Sequence, residues 1–264
     1  MHYLSIGAIF KNEQMVLKEW IEHHLYHGVE HFYLINDNSN DDFQPILEPY
    51  INDGLITLFH NDIPKVKHRQ TLAYEKYFRS ILNNTKWLAI IDIDEYLYSP
   101  NTINVAQELR KYENCGAVEV NWMWFGSSGH ISQPKYIVDS FCKRAPKNYE
   151  TWLTLKSGNV HCGLGAPKNI LNTSFKIHKF GIHSHEHDGK LLNASLKKEN
   201  PDFLLNHYAV MSQEYWVKVK QTRGDADNHH PDDARDLNYF QTLDINIEDD
   251  FVLANQNKAI LHKL

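Results

Sequence analysis

Three cysteines in 264 residues, Cys115, Cys142 and Cys162, with no C-x-x-C spacing among them, leave neither a disulfide framework nor a cysteine zinc site to build on. They read as reduced thiols, which fits a cytoplasmic setting. Positive charge is not in excess: 27 Lys and Arg against 33 Asp and Glu give a net charge of −6, so no nucleic-acid partner is expected. No window approaches the roughly 20 apolar residues of a membrane-spanning helix. The opening MHYLSIGAIFKNE has neither the basic leader nor the long apolar run of a signal peptide. Also missing are G-x-G-x-x-G after the first apolar run and G-x-x-x-x-G-K-S/T anywhere, which removes the usual dinucleotide and P-loop fingerprints. Without repeats, low-complexity linkers or a clear boundary, the chain reads as one domain over 1–264. The second half, 101–264, is less regular than residues 1–100 and ends in a polar tail. An apolar content of 42% and an aromatic content of 12% supply a substantial core.

What is present alternates. LSIGAIF (4–10), HFYLI (31–35), LITLFH (55–60) and WLAIID (87–92) are short, nearly continuous apolar runs of the buried-strand type. Between them, residues 13–27 place Val16, Leu17, Trp20, Ile21 and His24 at helical spacing, with Gly28 as a C-terminal stop. Residues 43–53 and 68–82 are further predicted helices. This β-α-β-α-β-α-β order predicts an α/β fold whose mostly parallel sheet carries helices on both faces. Later, AVEVNWMWF (117–125) reads as a strand, and 212–223 as an amphipathic helix with Ser212 as N-cap and Glu214 in its first turn.

In such sheets ligands bind beyond the carboxyl ends of the strands, and the polar clusters fall there: Lys11-Asn12-Glu13, Asp37-Asn38-Ser39 and Asp92-Ile93-Asp94-Glu95. Buried carboxylates are expensive without a partner, so Asp92, Asp94 and Glu95 need lysine or arginine from elsewhere, a metal ion, or open water. If the strand stays extended, Asp92 and Asp94 point to one side. Such a pair suits a hard divalent cation, Mn²⁺ or Mg²⁺, whose shell is completed by water and substrate phosphates. A D-x-D alone is equally a solvated turn. A parallel sheet with this pair but no glycine phosphate cradle points towards nucleotide-sugar chemistry.

Taken together and in order, IGAIFKNEQMVLKEWIEHHLYHGVEHFYLINDNSNDD, WLAIIDIDEYL, VNWMWFGSSGHISQP, LNHYAV, RGDAD and NYFQTLDINIEDD resemble glycosyltransferase family 92 and the related family-2-like transferases of the GT-A fold. The resemblance implies a single GT-A-type domain, a UDP-sugar donor (UDP-galactose in characterised members), Mn²⁺, and transfer with inversion to a glycan hydroxyl. It implies that Asp94 binds the metal directly, while Asp92 contacts the ribose or reaches the metal through water. His207 fits the family's Asn-His-Tyr motif as a further metal ligand, and His183 is the second choice. The part least like the family is 140–200, where acceptor recognition would lie.

Other residues carry two readings each. Asp37 either reads the uracil base or forms a turn in NDNSND. Lys11 and Asn12 close the first strand beside the nucleotide, and Glu13 either joins them or favours the helix N-terminus. Glu95 reads as a structural partner for an arginine. Arg223 and Lys168 neutralise diphosphate oxygens or are solvated. FGSSGH with Trp122, Gly126, Ser127 and Ser128 reads as a donor-sugar and acceptor platform, with one of Trp122 and Trp124 in the core. His183, His185 and His187 share a side if extended and could hold a transition metal themselves. His23, His24 and His27 suit core or capping roles. The catalytic base is Asp139 or Glu150. The expected activity is metal-dependent transfer to a lipopolysaccharide or other surface glycan, free or lipid-linked, with EYWVKVK as a candidate contact to the inner face of the membrane. The competing readings are a metal-dependent phosphoester hydrolase joining Asp92 and Asp94 to the histidine cluster, and a glycan-binding module without turnover.

Overall fold

The computed structural model describes residues 1–147, 149–155, 158–163, 167–193, 200–223 and 235–264, with the backbone alone for 150–155 and 158–163. The alternation of the first hundred residues is present: β1 (His2–Phe10), α1 (Leu17–Tyr26), β2 (His31–Asn36), α2 (Gln44–Asn52), β3 (Ile56–His60), α3 (Arg69–Ala73) and β4 (Thr85–Ile90). The strands are continuous in apolar residues because both faces are covered. Leu4, Ile6, Ala8 and Phe10 join Val16, Leu17, Trp20 and Ile21 in one layer. Ile9, Leu88 and Ile90 join Tyr74, Tyr77 and Phe78 in the other. At Gly7 a Cβ would lie 2.8 Å from the Phe78 ring, so only glycine lets that aromatic layer meet β1. Gly28, at φ +91, is the left-handed stop expected after α1. The helix expected over 68–82 is instead α3 followed by a π-helical turn (Tyr74–Phe78) and a 3-10 stretch (Arg79–Asn84).

The sheet continues into the second half with β5 (Glu95–Tyr98), β6 (Cys115–Trp124), β7 (Pro167–Asn172), β8 (Lys190–Asn193) and β9 (Leu204–His207). Among the described residues the order is β3-β2-β1-β4-β7-β6-β9-β5, with β8 also beside β6. β1 to β4 are mutually parallel where they pair, while β7 runs antiparallel between β4 and β6. β9 is parallel to β6 and antiparallel to β5. The α/β, mostly parallel sheet of the GT-A type is thus present, with antiparallel strands where the second half joins the first. Three short helices matter below: α4 (Val105–Leu109), α5 (Ile137–Ser140), and α6, a helical stretch over 213–223 whose middle, Trp216–Lys220, is π-helical. Ser212 caps α6 as its sequence predicts, accepting from the Tyr215 N–H at 3.1 Å. Among the described residues no helix is long and apolar enough to cross a membrane.

The three α1 histidines are core, as expected. His24 Nδ1–H donates to the Trp20 carbonyl at 2.8 Å, and its Nε2 accepts from the Leu97 N–H at 3.2 Å, which fixes a neutral ring. His23 Nε2–H reaches the Leu97 carbonyl at 3.0 Å, and Asn257 bonds both His23 and His27 at 2.9 Å. Burial pushes all three pKa values down, His24 to about 3. Burial likewise lowers His31, His183 and His185, while it raises Glu19 to about 7 and Glu95 to about 8. The lowered histidines outnumber the two raised carboxyls. Below the unfolded histidine value of about 6.5, the unfolded chain binds protons that the folded chain refuses. The histidine contribution is intact above about pH 6.5, while that of the two raised carboxyls is lost as pH rises through 7 and 8. Below about pH 6.5 the histidines dominate, and stability falls as pH drops, by roughly 1.4 kcal/mol per pH unit for each net proton taken up on unfolding. Urea unfolding between pH 6.5 and 5 should show a slope of more than one net proton. A flat profile over that range would contradict the neutral histidine core.

Candidate functional site

β4 ends at Ile90, and the chain then turns. The Glu95 N–H donates to the Asp92 carbonyl at 3.1 Å, and the Asp92 N–H to the Glu95 carboxylate at 2.9 Å. From α1, Trp20 Nε1–H donates to the carbonyls of Asp92 (3.2 Å) and Glu95 (2.9 Å), anchoring the turn at both ends. Asp92 and Asp94 therefore do not share a side, because the extended geometry that would align them is lost. Asp92 accepts from Lys168 Nζ of β7 at 3.0 Å. Asp94 accepts from Lys220 Nζ of α6 and faces His207 Nε2 at 3.6 Å.

Sheet register creates this meeting. β9 runs antiparallel to β5 with His207 opposite Glu95, and the Tyr208 N–H donates to the Asp94 carbonyl at 2.8 Å. β9 also runs parallel to β6 with His207 beside Trp124. The His207 ring accordingly lies between Trp122 and Trp124, its centroid 4.3 and 4.9 Å from theirs. His183 adds its ring to Trp122 at 5.2 Å. The expectation that one tryptophan is core holds for Trp124, which is buried, and Trp122 is half-buried against the two histidines.

Two lysines answer for three carboxylates. Burial disfavours the Asp94 anion, yet the Lys220 ammonium and His207 hold its pKa well below the usual carboxylate range. Burial would lower Lys168, but Asp92 and Glu95 keep it protonated and above its ordinary value. Glu95 is the group left over. Burial pushes it up to about 8, against the pull of Lys168 at 3.7 Å and with the push of the Asp92 and Asp94 charges. The partner expected for Glu95 was an arginine; the structure supplies a lysine from β7.

The other expected residues divide. Asp37, after β2, is buried in an ion pair with Arg69 and accepts from Asn61 Nδ2 at 2.8 Å. Asn12 adopts φ +58 and ties the loops after β1 and β2 together: its N–H donates to Ser39 Oγ at 3.0 Å, and its Oδ1 accepts from the Asn40 N–H at 2.8 Å. Lys11, half-buried, precedes it. Glu13 is not free for a ligand: it is buried, paired with Arg223 and hydrogen-bonded by the Tyr215 hydroxyl. The same pair takes Arg223, expected on a diphosphate, to the end of β1. Gly126, Ser127 and Ser128 are tethered rather than open to a sugar. Ser127 donates its N–H (2.5 Å) and hydroxyl (2.8 Å) to Asp244, and the Ser128 N–H donates to Asn246 at 2.7 Å. A Cβ at Gly126 would lie 2.4 Å from Asn246 Oδ1. Asp139 is exposed on α5, whose N–H groups at Ile137 and Val138 are capped by buried Glu19 at 2.6 and 2.9 Å. The charge of Asp139 acts on Glu19, and its backbone carbonyl accepts from Cys142 Sγ at 3.3 Å. The Glu150 side chain lies outside the described residues. His183, His185 and His187 do not share a side, because the chain bends at 182–183. His185 packs on Phe180, and His187 Nδ1–H donates to the Asp188 carbonyl at 2.8 Å. Among the described residues no three His, Cys, Asp or Glu side chains form a metal-holding group, so the hydrolase reading lacks its histidine cluster.

Sequence reading missed Lys220, Arg69, Asn61 and Trp20. Lys220 fell in EYWVKVK, read as a candidate membrane contact on an amphipathic helix. The π-helical turn points Lys218 outwards to Glu214 at 2.5 Å and buries Lys220. Asn61, immediately after β3, carried the strand-end signal of its neighbours.

The family model of glycosyltransferase family 92 matches residues 2–243. This chain belongs to glycosyltransferase family 92. It is 26% identical over 148 residues to a family 92 protein of Ricinus communis, covering 54% of this chain and 26% of that protein. It is 25% identical over 137 residues to one of Oryza sativa subsp. japonica, covering 51% and 23%. The chain thus spans about a quarter of the length of these curated family 92 relatives. Among solved structures, it is similar to S. aureus TarS 1–349 in complex with UDP-GlcNAc (14% identity, TM-score 0.39, covering 65% of this chain and 46% of that one). It is also similar to HddC from Yersinia pseudotuberculosis (10% identity, TM-score 0.40, covering 83% and 98%).

Removing Lys168 leaves Asp92 and Glu95 without their cation in the family 92 chain. Lys168→Met should destabilise the fold by about 3–5 kcal/mol in urea unfolding at pH 7, as breaking a buried ion pair does. Adding Asp92→Asn should recover part of the loss. A loss under about 1 kcal/mol would mean that the pair is solvated.

Proposed function

We infer that this family 92 chain transfers a sugar from a UDP-sugar donor to a hydroxyl of a glycan acceptor, with a divalent cation, Mn²⁺ or Mg²⁺, held by Asp94 and His207. The observation that carries this is the pairing of Asp94 with His207 at 3.6 Å, just past the carboxyl end of β4. A carboxylate oxygen and an imidazole nitrogen so close can share one ion, and the mixed O,N donor set suits Mn²⁺. The buried His207 Nδ1 has no partner among the described residues, and Nε2 already faces Asp94, where it can meet the ion. Two protein ligands leave room for the phosphate oxygens and water that such cations favour. His183, packed on Trp122, stays the second candidate.

When bound, the ion would neutralise the diphosphate leaving group. The chain's own residues do the rest. Lys168 and Lys220 bring two further positive charges to the same strand end. Trp122 and Trp124 hold the His207 ring edge towards Asp94 and exclude water from it. Asp37, oriented by Arg69 and Asn61, offers a carboxylate to the uracil N3–H from the neighbouring strand end. Asp92, partly exposed, is available to the ribose. The acceptor is a glycan, free or lipid-linked, and the reaction inverts the anomeric centre, with the chain working in the cytoplasm or at the inner membrane face.

Purified protein with Mn²⁺ should release UDP from a UDP-sugar when a glycan acceptor is present. Asp94→Asn and His207→Ala should each lower turnover by about 10–100-fold or more, the loss seen when even the supporting shell of a metal site is disturbed. Lys218→Ala, on the exposed side of α6, should leave turnover unchanged. No UDP release from any UDP-sugar with a broad acceptor mixture would contradict the reading.

A further inference from the structure

We propose that Lys220 is the resident cation of the Asp94–His207 site, occupying the carboxylate until a divalent ion displaces it. The inference rests on the metal reading above and goes beyond it, because it assigns that site a built-in competitor. The charges lead to it. Around the turn at 92–95, Asp92 and Asp94 carry two negative charges, and Lys168 and Lys220 carry two positive ones. Each of these carboxylates has its own lysine, so the two pairs balance. A divalent ion added to this buried, balanced group would leave two positive charges in excess, which a low-dielectric site does not tolerate. Either an ammonium leaves its carboxylate, or an anion arrives with the ion.

The two lysines are not equally able to leave. Lys168 stands on β7 between two strands, pairs with Asp92 at 3.0 Å, lies 3.7 Å from Glu95 and donates to the Ile182 carbonyl at 3.3 Å. It is held from three directions. Lys220 has one described acceptor, the Asp94 carboxylate, and reaches it from a π-helical turn of α6 outside the sheet. The Asp94 oxygen that Lys220 does not hold is the one facing His207. An ion entering between Asp94 and His207 would stand within a few ångströms of the Lys220 ammonium and repel it. Released, that ammonium needs an anion, and a nucleoside diphosphate arriving with the ion supplies one. Lys220 is thus a positioning residue that makes cation binding weak alone and stronger with the diphosphate, so an empty-handed metal is disfavoured.

Mn²⁺ binding to the full chain, followed by the electron paramagnetic resonance of free Mn²⁺ with and without UDP, tests this. Lys220→Met should bind Mn²⁺ at least tenfold more tightly than wild type in the absence of UDP, and should gain less from UDP. Lys218→Met should match wild type, and Asp94→Ala together with Lys220→Met should abolish the tightened binding. Without metal, Lys220→Met should melt below wild type, and Mn²⁺ should restore it. If Lys220→Met does not fold, Lys220→Arg serves instead: its fixed fork should hold Asp94 more persistently and weaken Mn²⁺ binding. Unchanged or weaker Mn²⁺ binding by Lys220→Met, or no Mn²⁺ binding by either protein, overturns the competition. Turnover of a UDP-sugar by wild type, measured alongside, keeps the transferase reading separable. It can stand with Mn²⁺ while the competition falls.

Discussion

The balance of charge around one turn organises this molecule. Asp92, Asp94 and Glu95 fall at the end of a strand that is buried on both faces, and only Asp92 keeps part of its contact with water. Their counter-charges come from far along the chain: Lys168 from β7 and Lys220 from α6. Both lysines belong to the second half, so the ion pairs fasten it to the carboxyl end of β4 in the first. The sheet does the same work in hydrogen bonds. β7 and β9, both late in sequence, pair with β4 and β5 on either side of the turn. Removing either lysine therefore disturbs the site and the union of the halves together.

The turn is also supported from below. α1 sends Trp20 to the carbonyls of Asp92 and Glu95, and His23 and His24 to the backbone of Leu97 two residues later. Through Asn257, His23 and His27 reach the helix at Val252–Asn257, near the end of the chain. A neutral imidazole that donates on one nitrogen and accepts on the other is suited to this task, because it satisfies two buried backbone groups at once without bringing charge into the core. The abundance of histidine on α1 is thus structural, and the histidine closest to the candidate chemistry, His207, comes from a strand.

Much of this was legible in sequence where the signal is local. Continuous apolar runs gave β1 to β4 to within two residues at each end, since strands covered on both faces have no polar side to interrupt them. Gly28, Ser212 and the strand-end polar clusters were readable for the same reason: each is dictated by backbone geometry at that position. Asp94 and His207 were named from motif resemblance, and sheet register brings them together. What stayed hidden depends on distance or on small irregularities. Nothing near FGSSGH announces that its amides are taken by Asp244 and Asn246, more than a hundred residues later. Nothing near Glu13 announces Arg223. Lys220 was hidden by the π-helical turn, which buries a residue that regular helical spacing leaves in solvent. Asp92 and Asp94 parted because Trp20, remote in sequence, stabilises a turn where alternation assumed a strand.

On the proposed function, the carboxylates at this turn are shared between the chain's lysines and a metal-bound nucleoside diphosphate. Thermal unfolding of wild type and Asp94→Ala with UDP, GDP or dTDP, each with Mn²⁺ or with EDTA, tests it most directly, because a ligand of the native state raises apparent stability. The account predicts a rise in Tm with UDP and Mn²⁺ that EDTA removes and that Asp94→Ala lacks. An equal rise in EDTA or in Asp94→Ala, or no rise with any nucleotide, would contradict it.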